Sequence, residues 1–253
     1  MKSIYFISDA HLGSWAVSQR RMQERRLVRF LDEIKEKAEA VYMLGDMFDF
    51  WYEFKYVVPK GYTRFLGKVS ELTDRGVEVH YFTGNHDIWS YGYLERECGV
   101  TIHREPMMVE LMGQVFYLAH GDGMGDPSRS FRLLRGVFHS RTCQFLFSLL
   151  PTRWSMFLGM MWAKSSMQKH IRDGCDPYLG EDREYTVLFA KEYYKSHPDI
   201  NVFMFGHRHI ELEQPISDTC KVLIIGDWLQ KFTYVVYDGS TLRMSDYIEG
   251  EPI

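Results

Sequence analysis

The amino-acid sequence predicts a layered α/β fold carrying one helical insertion, and three observations carry that prediction. Short apolar runs recur along the chain, each closed by glycine or a polar cluster. Charged stretches with apolar residues three and four apart separate the first three runs. One long segment after the fourth run has no strand-like pattern at all.

Taken in order, SIYFIS ends at Asp9, AVYML ends before Gly45 and EVHYFT ends before Gly84. Between them lie RRMQERRLVRFLDEIKEKA and YTRFLGKVSELTDRG, whose periodicity predicts amphipathic helices. A β-α-β-α-β rhythm of this kind belongs to layered α/β domains, whose strands are buried on both faces and therefore read as near-continuous apolar runs. QVFYLA before His120, NVFMF before Gly206 and VLII before Gly226 extend the series. The last part, VLIIGDWLQKFTYVVYDGSTLRM, reads as strands and a hairpin turning at Asp238-Gly239.

The insertion spans Met124 to Asp176 and includes FRLLRGVF, QFLFSLL and RWSMFLGMMWAK. It holds eight basic residues against three acidic ones, in a chain whose formal net charge is −4. A segment both basic and rich in Met and aromatics fits a cap over an anionic, apolar ligand. A pair of ordinary core-packing helices is the plainer alternative.

A chain of 253 residues can bury a sizeable core, and one domain spanning 1–253 accounts for it. The mild negative charge gives no indication of nucleic acid as a partner. The four cysteines show no CxxC or other short spacing, which fits a reducing cytoplasm better than a disulfide framework or a zinc knuckle. The start, MKSIYFISDAHLG, has too short an apolar run for a signal peptide. No segment reaches the roughly 18 apolar residues of a membrane span. A soluble or at most peripheral protein is therefore expected.

The punctuation after the strands is chemically uniform. SDAH offers Asp9 and His11, LGDMFD offers Asp46 and Asp49, and TGNHD offers Asn85, His86 and Asp87. AHGD offers His120 and Asp122, and FGHRH offers His207 and His209. Singly, each could be an Asx-turn or a helix cap. Five such clusters, each following an apolar strand, predict a shared site, because ligands of open α/β sheets bind beyond the carboxyl ends of the strands. Carboxylate, imidazole and amide ligands without thiolate suit borderline divalent ions such as Mn²⁺, Fe²⁺ or Zn²⁺. Seven candidates exceed one four-coordinate ion. Two ions sharing a carboxylate fit better, the usual device for phosphoester hydrolysis.

The series DxH, GDxxD, GNHD, HGD, GHxH resembles the calcineurin-like metallophosphoesterase superfamily, in that family's order from Asp9 to His209. The resemblance implies a four-layer α/β/β/α sandwich with a helical cap insertion. It implies that Asp9, His11, Asp46 and His209 hold one metal and that Asp46, Asn85, His120 and His207 hold the other, with Asp46 bridging. His86 would face the substrate as a catalytic residue, paired with Asp49, which would fix its tautomer and favour its cationic form. Asp87 and Asp122 are expected to stabilise turns.

Protein phosphatases of this superfamily follow GDxxD with an arginine and a glycine that hold phosphate; here the segment is GDMFDFW, which argues against that class. GDxFxxW, the basic hydrophobic insertion after HGD and the Leu150-Pro151 dipeptide resemble the UDP-2,3-diacylglucosamine pyrophosphohydrolase family. That family cleaves a nucleotide-linked glycolipid to UMP and 2,3-diacylglucosamine 1-phosphate at the inner face of the inner membrane. The resemblance thus implies two divalent ions, Mn²⁺ first, and peripheral membrane contact. Lys164, Ser165, Lys169 and Arg132 in the insertion are the candidate substrate contacts. Enterobacterial members carry arginine after the asparagine of GNxD and glutamate at the second acid of GDxFE, where this chain has His86 and Asp49. Two other readings stay open from sequence: a phosphodiesterase of the same superfamily acting on another phosphoester, and a non-catalytic scaffold on the same fold.

Overall fold

A computed structural model describes residues 2–125, 128–172, 178–251 and 253. Strands β1 (Ser3–Ile7), β2 (Ala38–Met43), β3 (Glu78–Phe82) and β4 (Thr101–His103) alternate with helices α1 (Arg20–Ile34), α2 (Thr63–Asp74) and α3 (Tyr93–Cys98). Then come β5 (Met107–Leu111) and β6 (Gln114–Ala119), followed by α4 (Arg129–His139), α5 (Arg141–Ser148) and α6 (Thr152–Arg172). Helix α7 (Tyr185–Tyr194) leads to β7 (Val202–Phe205), β8 (Leu212–Pro215), β9 (Lys221–Ile224), β10 (Thr233–Tyr237) and β11 (Leu242–Asp246).

Two sheets form, in the orders β11-β10-β1-β2-β3-β4 and β5-β6-β7-β9-β8. The central strands β1 to β4 run parallel, as do β6, β7 and β9, and the antiparallel strands lie outside them. Alternation along each central strand divides its apolar residues between two cores. In β1, Ile4 and Phe6 enter the space between the sheets, where they meet Phe116, Leu118, Met204 and Leu223. Tyr5 and Ile7 point the other way, onto Leu27, Phe30 and Leu31 of α1 and Phe65 and Val69 of α2. On the far side, Tyr117, Phe203 and Phe205 pack against Val187 and Ala190 of α7. The layer order is therefore α/β/β/α, as expected. Burial on both faces explains why these strands have no polar alternation.

The predicted hairpin turns where the Asp238 carboxylate accepts from the N–H groups of Ser240 and Thr241, at 2.9 and 2.7 Å. Helices α4, α5 and α6 fill the predicted insertion. They pack on the core through Phe50, Tyr52 and Trp89, which meet Phe138, Phe147, Trp162 and Ala163. Cys98, Cys143 and Cys220 are free thiols, and Cys175 lies outside the described residues.

Candidate dimetal centre

Every candidate ligand lies just beyond the carboxyl end of a parallel strand: Asp9 and His11 after β1, Asp46 after β2, Asn85 after β3, His120 after β6, His207 and His209 after β7. The chain reaches these positions through unusual backbone. Among the described residues, eight non-glycine residues have positive φ, and Asp9, His11, Asp46, His207 and His209 are five of them, at 40° to 66°. Left-handed backbone costs an L-residue about 1–2 kcal/mol, and such strain persists at functional sites because the surrounding structure enforces it. Hydrogen bonds between the loops enforce it here: Asp9 N to Gly45 O at 3.1 Å, His11 N to Asp46 O at 2.9 Å and Trp228 N to Asp9 O at 3.1 Å.

The ligand side chains are fixed by one atom and open at the other. Asp9 accepts from His207 N through Oδ2 at 2.8 Å, and its buried Oδ1 has no hydrogen-bond partner. Asp46 accepts from His86 N through Oδ1 at 2.8 Å, which turns Oδ2 into the cluster. His120 donates from Nδ1 to Leu44 O at 2.8 Å, which turns its Nε2 toward the same space. Around that space His11 Nε2 lies 3.3 Å from His209 Nε2, 3.8 Å from Asp9 Oδ1 and 3.7 Å from Asp46 Oδ2. His209 Nε2 is 3.3 Å from Asp9 Oδ1. On the other side of Asp46, His120 Nε2 is 3.3 Å from Oδ2 and 3.4 Å from Asn85 Oδ1, with His207 completing the group.

These separations identify what fits between the atoms. Bonds of about 2.0–2.2 Å to a common ion put neighbouring ligand atoms roughly 3.0–3.5 Å apart. Acceptor-rich atoms at 3.3–3.8 Å, buried and converging without intervening donors, fit a divalent cation on each side of Asp46. In the metal-free protein His11 and His120, both raised by the surrounding carboxylates, stand in for that charge. Burial pulls the His120 imidazole down, but Asp46 and then Asp9 outweigh it and push its pKa up to about 10. Burial likewise raises the Asp9 carboxyl, and His209 and His11 bring it down to about 2.

His86 differs from expectation in two respects. Its Nδ1 contacts the Asp49 carbonyl at 2.6 Å, whereas the Asp49 carboxylate lies 3.6 Å from His11 Nδ1. Asp49 thus fixes the His86 tautomer through its backbone, while its carboxylate faces His11 beyond hydrogen-bond distance. Burial also pulls the His86 pKa below the ordinary value and outweighs the nearby carboxylates. The Asp49 carbonyl, an acceptor, places a proton on Nδ1 and leaves Nε2 facing the cluster. Its ring packs at a tilt against Trp162 of α6, centroids 4.6 Å apart.

Further residues build the loops. The Asp87 carboxylate accepts from Gly84 N at 2.7 Å, Met47 N at 2.8 Å and the Tyr81 hydroxyl, tying the third loop to the second. Asp227 lies 3.9 Å from His209 Nδ1, and its carboxylate accepts from the Leu229 and Gln230 N–H groups. From the cap, Arg135 donates to Asp122 at 2.7 Å. Arg132, one turn earlier, is exposed, and helix register is what separates the two. Lys164 and Ser165 are exposed on α6, with the Lys164 ammonium 5.2 Å from the centre of the Trp15 ring, in the loop after His11. The Lys169 side chain lies outside the described residues. Trp15, Arg135 and Trp162 carried no sequence signal beyond composition.

No family model matches the chain. Among solved structures, Yfce, a phosphoesterase from E. coli, aligns over 95% of this chain and 90% of its own at 15% identity, with a TM-score of 0.45, a loose overall likeness. Curated relatives stand much nearer. A UDP-2,3-diacylglucosamine hydrolase of Neisseria meningitidis is 32% identical over 93% of this chain and 94% of that protein. One of Porphyromonas gingivalis is 41% identical over 94% of this chain and 95% of that protein. Identity at that level, sustained along nearly the full length of both proteins, exceeds shared architecture alone: the chain belongs to the UDP-2,3-diacylglucosamine hydrolase family.

Proposed function

We propose that this protein hydrolyses the pyrophosphate of UDP-2,3-diacylglucosamine, releasing UMP and 2,3-diacylglucosamine 1-phosphate, with two divalent ions, Mn²⁺ first, held by Asp9, His11, Asp46, Asn85, His120, His207 and His209. The observation that carries the reading is an apolar pocket set beside the dimetal centre. About 230 Å³ in volume, it is walled by Phe50, Trp89, Phe138, Phe147 and Trp162, and Trp162 is also the ring that packs against His86. An acyl chain seated there brings its polar linkage to His86, which a soluble phosphoester has no means of exploiting.

Two divalent ions bound here supply a hydroxide near neutral pH and neutralise the phosphoryl oxygens during in-line attack. The chain's own part is orientation. Asp46 is held from the His86 N–H, and the Asp49 carbonyl positions the His86 ring. Departure needs no protonating acid, because the leaving group is a phosphomonoester whose second pKa is about 6. His86 Nε2 then acts as an acceptor for the attacking water's proton or for a substrate hydroxyl. No helix among the described residues is long and apolar enough to cross a membrane. The exposed apolar face of α5 and α6, flanked by Arg141, Arg153 and Lys164, supports peripheral contact with the cytoplasmic face of the inner membrane.

The test is Mn²⁺-dependent turnover of UDP-2,3-diacylglucosamine by the wild type and Asp46→Ala, beside soluble phosphodiesters. Formation of UMP and 2,3-diacylglucosamine 1-phosphate by the wild type only is expected. Activity confined to the soluble esters would favour the alternative phosphodiesterase, and no activity on any ester would leave the scaffold.

A further inference from the structure

A third cavity lies apart from both the dimetal centre and the apolar pocket. It holds about 1020 Å³ and opens on the opposite side of α5, between that helix and the loop after Trp51. Tyr52, Tyr91 and Tyr93 line it, with Lys55, Arg96 and Arg141. Among the described residues, none of these three cations has a carboxylate partner. The one acid in the lining, Glu53, is already engaged by Trp51 Nε1 and by the Tyr91 and Tyr93 N–H groups. Three uncompensated cations from three separate segments, beside tyrosine rings, make a receptor for an anion.

The surroundings say which anion. Phe145 lines the cleft and is 61% exposed, and Leu146 and Leu149 on the same helix are exposed as well. The basic cavity therefore adjoins an exposed apolar surface. A free nucleotide would leave that surface in water, whereas a lipid covers it with acyl chain while its headgroup phosphate meets the cations. Tyrosines at the junction are the side chains that suit an apolar–polar boundary.

We infer that this cleft binds the headgroup of an anionic membrane phospholipid, separately from the catalytic substrate, and so sets how the cap meets the bilayer. The inference rests on the reading of the cap as a lipid-facing surface. Gln144 gives the site a route to catalysis, because it lines both this cleft and the apolar pocket. The Tyr52 hydroxyl donates to its carbonyl at 3.0 Å and the Tyr91 hydroxyl to its Oε1 at 3.1 Å.

The experiment is co-sedimentation of the full chain with phosphatidylcholine vesicles, with and without phosphatidylglycerol. Three proteins are compared: wild type, K55A/R96A/R141A, and the charge-matched R25A/K195A/R243A on the core surface. Each cation near an anionic surface is worth about fivefold in partition, so the cleft triple variant should lose roughly 100-fold on phosphatidylglycerol vesicles. The remote triple variant should lose far less, and hydrolysis of a soluble phosphodiester should be unchanged in both. Equal losses in the two variants would reduce the effect to bulk charge and overturn the inference. Wild type that binds no vesicle yet turns over the glycolipid in detergent would remove the lipid-facing reading and the inference with it, leaving the catalytic proposal standing. Calorimetry with UMP on Asp46→Ala adds the last arm: saturable binding abolished by the cleft substitutions would make the site a nucleotide site and refute the lipid assignment.

Discussion

Gly84 precedes Asn85 at the end of β3, and the bridging carboxylate leans against it. A Cβ at Gly84 would lie 2.6 Å from Asp46 N and 2.7 Å from Asp46 Cγ, and closer still to Oδ1. Non-bonded carbons need about 3.5 Å, so Gly84→Ala forces Asp46 to retreat by roughly 1 Å. Gly84 is not among the positive-φ residues and its N–H bond to Asp87 survives substitution, so the perturbation is steric and aimed at the bridge. Metal sites tolerate displacements of about 0.2 Å, and a misplacement of 1 Å costs about 100-fold in rate. Gly84→Ala should therefore lower kcat/KM at least 100-fold, about 2.7 kcal/mol of transition-state stabilisation, and reduce bound metal. Gly67→Ala is the control: Gly67 lies in α2 with nothing near its would-be Cβ, and the change should add about 0.5–1 kcal/mol of stability with activity intact. A Gly84→Ala enzyme that keeps more than a tenth of wild-type kcat/KM with its metal content intact would refute the reasoning.

Asp87→Asn should cost about 2 kcal/mol or more in denaturant unfolding, because in either amide orientation the NH₂ replaces an accepting oxygen and faces a donor, Gly84 N on one side or Met47 N on the other; an unchanged midpoint contradicts the assigned role. Loading metal into the apoprotein at pH 8 should release protons. The His120 pKa is raised to about 10, so its imidazole is charged there and must lose a proton to ligate, whereas above pH 10 that proton is already gone. Calorimetry in buffers of different ionisation enthalpy measures the release, and buffer-independent heats at pH 8 would speak against it. Gly159→Ala places a methyl into the Phe50 ring and should raise KM for the diacyl substrate at least tenfold while metal content stays constant. Equal KM values would show that the cap seam does not shape the substrate pocket.

The frame of the fold was legible because burial on two faces leaves a mark in sequence. Every strand forecast from a continuous apolar run, from Tyr5 and Phe6 to Phe203 and Phe205, lies in the centre of a sheet. The edge strands β4, β5 and β8 were not forecast, since TIH, MMVEL and LEQP are half-exposed and read as loop. The ligand set was legible for a related reason: acids and imidazoles directly after buried strands have few uses other than a shared site. What lay beyond reach depends on geometry that sequence spacing does not carry. Whether Asp49 meets His86 by carbonyl or carboxylate is decided by a rotamer. Whether Arg132 or Arg135 reaches Asp122 is decided by the angle at which α4 settles on the core.

The account stands on two ions sharing Asp46, and the most direct measurement is metal content and glycolipid hydrolysis on the same Mn²⁺-titrated samples. The prediction is two ions per chain, activity that rises with the second, and loss of both binding and product in Asp46→Ala. Full activity with a single bound ion, or turnover that survives exhaustive chelation, would contradict it.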